Sequence, residues 1–220
     1  MPKYSEETYL NYQCELVKYQ GEYLPHWEVG DGVYFVTFRL CDALPQKKLE
    51  AVTKRYHMLM NALRENDDVS SDQLARIGFD FYLDEVDDSL DGGYGRCWLR
   101  RPEIADLVSG ALEHFDGERY DLYAWCVMPN HVHVAWQKYP DFELGEILHS
   151  WKSYTGLKAN ELLGRAEGSF WQADSYEHLV RTAEELSRIC HYILTNPTQA
   201  GLDDWRWFGV GGAGGPLNAA

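Results

Sequence analysis

The sequence predicts an α+β domain of the ferredoxin-like βαββαβ plan: an antiparallel sheet with helices on one face, an inserted helix and a C-terminal helical extension. Three observations predict it. Val33 to Leu40 is a run of β-branched and aromatic residues, a strand. Tyr120 to Met128 and His131 to Gln137 are two more strands, joined only by Pro129-Asn130, a tight turn. Segments with apolar residues at helical spacing separate the first strand from this hairpin, and the hairpin from a last strand.

The elements follow in chain order. Residues 1 to 32 are polar and aromatic, end on Pro25, Gly30 and Gly32, and form an N-terminal arm. After the first strand, Gln46 to Glu65 is a helix, with Leu49, Val52, Tyr56, Leu59 and Leu63 on one stripe. Residues 66 to 95 are acidic and contain glycines, so they are an insertion. Asp84, Glu85, Asp87, Asp88 and Asp91 crowd its second half. Pro102 suits the first turn of a helix that runs to Phe115. Beyond the hairpin, Phe142 to Leu163 is a long helix closed by Gly164, with Ile147, Trp151, Tyr154, Lys158 and Glu161 expected on one face. Phe170 to Val180 holds a strand, and Ala183 to Leu194 a helix that Asn196-Pro197 should stop. The folded unit is then a single domain over residues 33–202, and residues 203–220 are a tail expected to be mostly disordered.

With 45% hydrophobic residues, 8 Trp, 15 Tyr and 8 Phe, the chain can bury a sizeable core, which excludes global disorder. No apolar run approaches the roughly 20 residues needed to span a membrane, and Met1 to Glu6 does not open a signal peptide. The expected location is cytoplasmic. Five cysteines without a Cys-x-x-Cys pair fit reduced thiols better than a disulfide framework. The net charge of −15 opposes phosphate binding, so a nucleic-acid site would need a local basic patch on an acidic body.

His131 and His133 stand one residue apart on a strand, so both project to one side, with Val132 and Val134 opposite. Two imidazoles on a rigid strand are half of a metal site. The competing explanation is a pair merely hydrogen-bonded within the sheet. Tyr154, on the helix that follows, supplies a phenol. With a metal-activated phosphate it could attack DNA and hold the cut end covalently. Against this, most helical tyrosines only pack. Lys152 and Lys158 on the same helix, and Arg100 and Arg101 before the inserted helix, are candidate DNA phosphate contacts, although exposed basic residues are commonly just solvated. There is no G-x-S-x-G, P-loop or H-E-x-x-H.

Several stretches together resemble the REP-associated tyrosine transposases, within the single-tyrosine, His-hydrophobic-His insertion-sequence superfamily. They are Leu24-Pro25-His26-Trp27-Glu28, Tyr34 to Leu40, Cys97-Trp98-Leu99-Arg100, His114 to Tyr120, and Val127-Met128-Pro129-Asn130-His131-Val132-His133. Ser150 to Thr155, Phe170-Trp171-Gln172, Tyr192-Ile193-Leu194-Thr195-Asn196-Pro197 and Ala200-Gly201-Leu202 complete the set. The resemblance implies His131 and His133 as ligands of Mg²⁺ or Mn²⁺, and Tyr154 as the nucleophile. It implies a substrate of single-stranded DNA with palindromic hairpins. A homodimer is compatible with it. In related transposases a further polar ligand, often Gln, lies one helical turn after the tyrosine. Here that place falls on Lys158, whose ammonium cannot coordinate a metal, with Glu161 a turn further on as the substitute. A domesticated, non-catalytic binder of DNA hairpins is the alternative function, and a metal-dependent hydrolase of another phosphodiester a third.

Overall fold

The structure is a computed structural model, which describes residues 17–20, 25–28, 30–65 and 68–212. Its centre is a five-stranded antiparallel sheet. In chain order the strands are β3 (Val33–Arg39), β4 (Tyr120–Val127), β5 (His131–Lys138), β6 (Tyr176–Leu179) and β7 (Phe208–Val210), laid out as β6-β3-β5-β4-β7. The first four give the 4-1-3-2 order of the ferredoxin-like plan. Before them, β1 (Val17–Gln20) and β2 (Pro25–Glu28) form an antiparallel pair within the N-terminal arm.

Strand parity decides what each face carries. Trp136, Tyr34 and Tyr120 point to one side. His133, Phe35 and Cys126 point to the other, because His133 lies opposite Thr37 and Cys126 in register. A register shift between Leu122 and Ala124 keeps both halves of β4 on their proper faces. The helices α4 (Pro102–Glu113) and α5 (Leu144–Leu162) are the two crossovers, and they cover the tryptophan face. Trp151 of α5 packs edge-on to Tyr120 and Trp136 and donates its indole N–H to the Tyr120 hydroxyl. Tyr120 in turn donates to the Leu112 carbonyl of α4.

The histidine face is also covered, so helices lie on both sides of the sheet. α1 (Gln46–Arg64) and α2 (Ser71–Tyr82) come from the β3–α4 connection. A reciprocal cap starts α2: Ser70 Oγ accepts from the Gln73 N–H, and Gln73 Oε1 from the Ser70 N–H. α2 then runs through a π-helical turn, Leu83–Asp87, into the short α3 (Asp88–Asp91). The acidic insertion is therefore mostly helical rather than a loop. Phe79 of α2 packs edge-on to Phe35 and stacks on His178.

The last helix, α6 (Ala183–Gln199), lies on the same face, with Tyr192 packed against Phe35 and His133. It begins where Thr182 Oγ1 accepts from the Glu185 N–H. It does not stop at Asn196-Pro197. Pro197 sits inside the last turn of the helix, which continues to Gln199 although the ring removes one backbone donor. The tail expected to be disordered also differs. Residues 208–210 add β7 to the β4 edge, held by Val127 N–H donating to the Trp207 carbonyl and by Trp205 Nε1–H donating to the Val127 carbonyl. Residues 213–220 lie outside the described residues, as do residues 1–16 of the arm. Among the described residues no helix is long and apolar enough to cross a membrane.

Candidate active site

The two-residue turn Pro129-Asn130 aims His131 and His133 at one point. Their Nε2 atoms lie 2.8 Å apart, and both side chains are fully buried. Each ring is fixed from behind. His131 Nδ1 donates to Asn130 Oδ1 at 2.7 Å, and His133 Nδ1 lies 2.9 Å from Thr37 Oγ1. The orientation of the Asn130 amide is set because its Nδ2 donates to the carbonyls of Leu90 and Tyr94. Positive φ at Gly93 and Gly95 turns the chain so that the Tyr94 carbonyl can serve. With its Nδ1 protonated, neutral His131 presents a bare lone pair at Nε2.

The acid comes from the insertion. Asp87 Oδ2 lies 3.6 Å from His133 Nε2, and Asp91 Oδ1 lies 3.8 Å from His131 Nε2. Asp87, His131 and His133 offer three ligand atoms within 4.8 Å of one another. Burial pulls the His133 imidazole down to about 3. Burial, then the neighbouring His133 and Arg39 charges, hold His131 well below its ordinary value. Both rings are therefore neutral at physiological pH, the state that coordinates a metal.

The phenol beside this cluster belongs to Tyr192. Its ring lies 5.6 Å from that of His133, and its hydroxyl donates to Asp87 Oδ2. Asn196, one turn on, donates from Nδ2 to the Tyr192 hydroxyl at 3.1 Å. The Oδ1 of Asn196 is buried and makes no hydrogen bond among the described residues. Burial and then the Asp87 carboxylate raise the Tyr192 pKa, so the phenol keeps its proton.

The donor set fits a divalent cation. Two imidazole lone pairs and a carboxylate converge within 4.8 Å, and both imidazoles have the backing hydrogen bonds that metal-bound histidines use.

The other residues expected at the site are elsewhere. Tyr154 is 52% exposed on α5, the helix that packs on the tryptophan face. The buried stripe of α5 runs through Leu144, Ile147, Leu148, Trp151, Thr155 and Ala159, which leaves Tyr154, Lys158 and Glu161 outside it. Lys158 and Glu161 are exposed and pair with each other at 2.9 Å. Arg101 pairs with Glu103, and Arg100 is exposed at the end of a short 3-10 turn, Trp98–Arg100. Lys152 is half-buried and donates to the Ala173 carbonyl at 2.5 Å. Partial burial takes it down to about 8, against the pull of Asp174 and Glu177. Sequence reasoning missed Asp87, Tyr192 and Asn196, although Tyr192 and Asn196 lie in one of the stretches that carried the resemblance.

Fold and site together define a ferredoxin-like domain with a buried His-His-Asp cluster and a phenol in contact with it. Residues 101–196, which hold α4, the histidine hairpin, α5, β6 and most of α6, match the family model described as "Transposase IS200 like". That segment is similar to the family the sequence resembles, over rather less than half of the chain. Among solved structures it is similar to one described as "Structure of the REP associates tyrosine transposase bound to a REP hairpin", at 17% identity and a TM-score of 0.48, over 86% of this chain and 82% of that one. No curated protein matches.

Proposed function

We propose that this protein cuts and rejoins a single DNA strand at hairpin-bearing sites, with Tyr192 as the nucleophile. The observation that carries this reading is the hydrogen bond from the Tyr192 hydroxyl to Asp87, which puts the phenol on the His-His-Asp cluster. His131, His133 and Asp87 would hold the cation, Mg²⁺ or Mn²⁺, with Asn196 Oδ1 as a fourth donor. Asn196 stands one helical turn after Tyr192, where related transposases place their further polar ligand. The difficulty raised by Lys158 thus belongs to Tyr154 alone. When bound, the cation would polarise the scissile phosphate.

The protein's own residues do the rest. Burial and Asp87 keep the phenol protonated until a phosphate arrives. Asp87 then accepts the Tyr192 proton as Oη attacks phosphorus. One P–O bond of the strand breaks as the Tyr192–phosphate bond forms, and the departing strand oxygen takes up a proton. The bond energy is conserved in the phosphotyrosine link, so a strand hydroxyl can reverse the step and rejoin DNA. Asn196 Nδ2 and the Phe35 ring fix the phenol's direction. Lys152 remains a candidate phosphate contact. Arg100, Arg101 and Lys158 could serve only DNA that runs beyond the cluster.

The test is cleavage of a labelled hairpin oligonucleotide with single-stranded flanks. Wild-type protein should cut it with Mg²⁺ or Mn²⁺ and stop in EDTA. Tyr192→Phe should bind the hairpin but neither cut nor link to it. Binding without a covalent product under either metal would favour the non-catalytic hairpin binder. Cleavage by Tyr192→Phe would remove the nucleophile assignment.

A further inference from the structure

Arg39 ends β3 in register with His131, on the histidine face, and is only 8% exposed. Among the described residues its guanidinium makes no hydrogen bond and no ion pair. The residue is largely buried, but its nitrogens are not sealed from solvent, so an anionic ligand that enters the cleft can reach them. Arg39 lines a cleft between the inserted helices and the sheet. Leu49, Val52 and Tyr56 of α1, Tyr82 of α2, Val86 of the π turn and Tyr176 of β6 make its apolar walls. Asp174 also lines the cleft, and its Oδ2 is buried without a hydrogen bond among the described residues. Lys152 reaches the same loop at Ala173. Val86 is the neighbour of Asp87, so the cleft adjoins the metal cluster.

A cation for a phosphate, apolar walls for a flat ring and an acceptor for a ring N–H are together the needs of one nucleotide out of its stack. We propose that this cleft holds one unpaired nucleotide of the DNA strand beside the phosphate to be cut. Its own phosphate lies on Arg39, its base lies against the apolar walls, and the base's donor edge faces Asp174. The inference rests on the DNA-cleaving reading above.

The test uses the full chain and hairpin oligonucleotides whose single-stranded flank carries one uncharged methylphosphonate, or one abasic site, at each position in turn. For wild-type protein one methylphosphonate should weaken binding roughly tenfold or more, the loss of a charge-assisted hydrogen bond. In Arg39→Met that penalty should vanish, and unmodified DNA should bind as weakly as the modified strand does to wild type. Thr53→Trp, from a half-buried helical position, should fill the cleft without touching the sheet. It should erase the abasic penalty at the same nucleotide, which keeps the test decisive if Arg39→Met does not fold. Penalties that persist in both variants, or a flank with no sensitive position, overturn the cleft assignment while leaving hairpin cleavage intact. A wild-type protein that binds no hairpin overturns the DNA reading, and this one with it.

Discussion

His131 and His133 were legible in the sequence because a strand has a period of two, which puts both rings on one face whatever the sheet around them. Asp87 was not. It is one acid among Asp84, Glu85, Asp88 and Asp91, and nothing in that run separates a ligand from a solvated carboxylate. The usable signal was apolar: Phe79, Tyr82, Val86 and Leu90 recur at helical spacing, and Asp87 and Asp91 each follow a buried member of that stripe. Asp87→Asn tests its role. A cation that binds only the folded protein raises stability by about 2.7 kcal/mol at a hundredfold excess over Kd. Mn²⁺ should therefore lift the melting temperature of wild type and barely move that of Asp87→Asn. An equal rise in both would remove Asp87 from the ligand set. Tyr154→Phe, at an exposed site, should leave stability within about 0.5 kcal/mol and cleavage unchanged. Loss of cleavage in that variant would restore Tyr154 as the nucleophile.

At the scale of elements, the separation of Tyr154 from the histidines has a topological cause. The two crossover helices of a βαββαβ unit pack on one face, and here that is the face of Val132, Val134 and Trp136. Parity alone puts the histidines on the other side, so a tyrosine on either crossover helix is separated from them by the sheet. Among the described residues it is elements outside the crossovers, the π turn with α3 and α6, that bring Asp87, Asp91 and Tyr192 to the cluster. α6 is anchored at its start by Glu185, which accepts from His178 Nε2 at 2.9 Å and from the Arg181 N–H at 2.7 Å. Burial works to raise Glu185, but His178 and Arg181 outweigh it and hold the carboxyl below its ordinary 4.5. A carboxyl lowered on folding stabilises the protein above the ordinary carboxylate range, and that contribution is lost as the pH falls through its folded value. Thermal melts should therefore show wild type losing more stability than Glu185→Gln between about pH 5 and pH 3. Parallel curves would mean that this anchor does not hold the helix.

For the molecule as a whole, strand order and both crossover helices were readable, because hydrophobic period and turn residues agree over residues 33–65 and 96–180. The second covering layer was not, because it is assembled from an acidic insertion and a chain end, whose contacts are long-range. β7 shows this best. Phe208–Val210 looked like a glycine-rich tail, yet it closes the β4 edge, with Trp205 and Trp207 bound to Val127. Truncation after Leu202 should bare that edge and lower the melting temperature, with aggregation on heating. An unchanged melt would mean that the strand contributes nothing.

The proposed function requires a covalent bond between one tyrosine and DNA. The most direct measurement is to trap the protein on a hairpin with Mn²⁺, digest it, and map the peptide that carries nucleotide phosphate by mass spectrometry. A single modified peptide from α6 is expected, with the phosphate on Tyr192. A modified peptide from α5 carrying Tyr154, or no covalent product from protein that binds its hairpin, would contradict it.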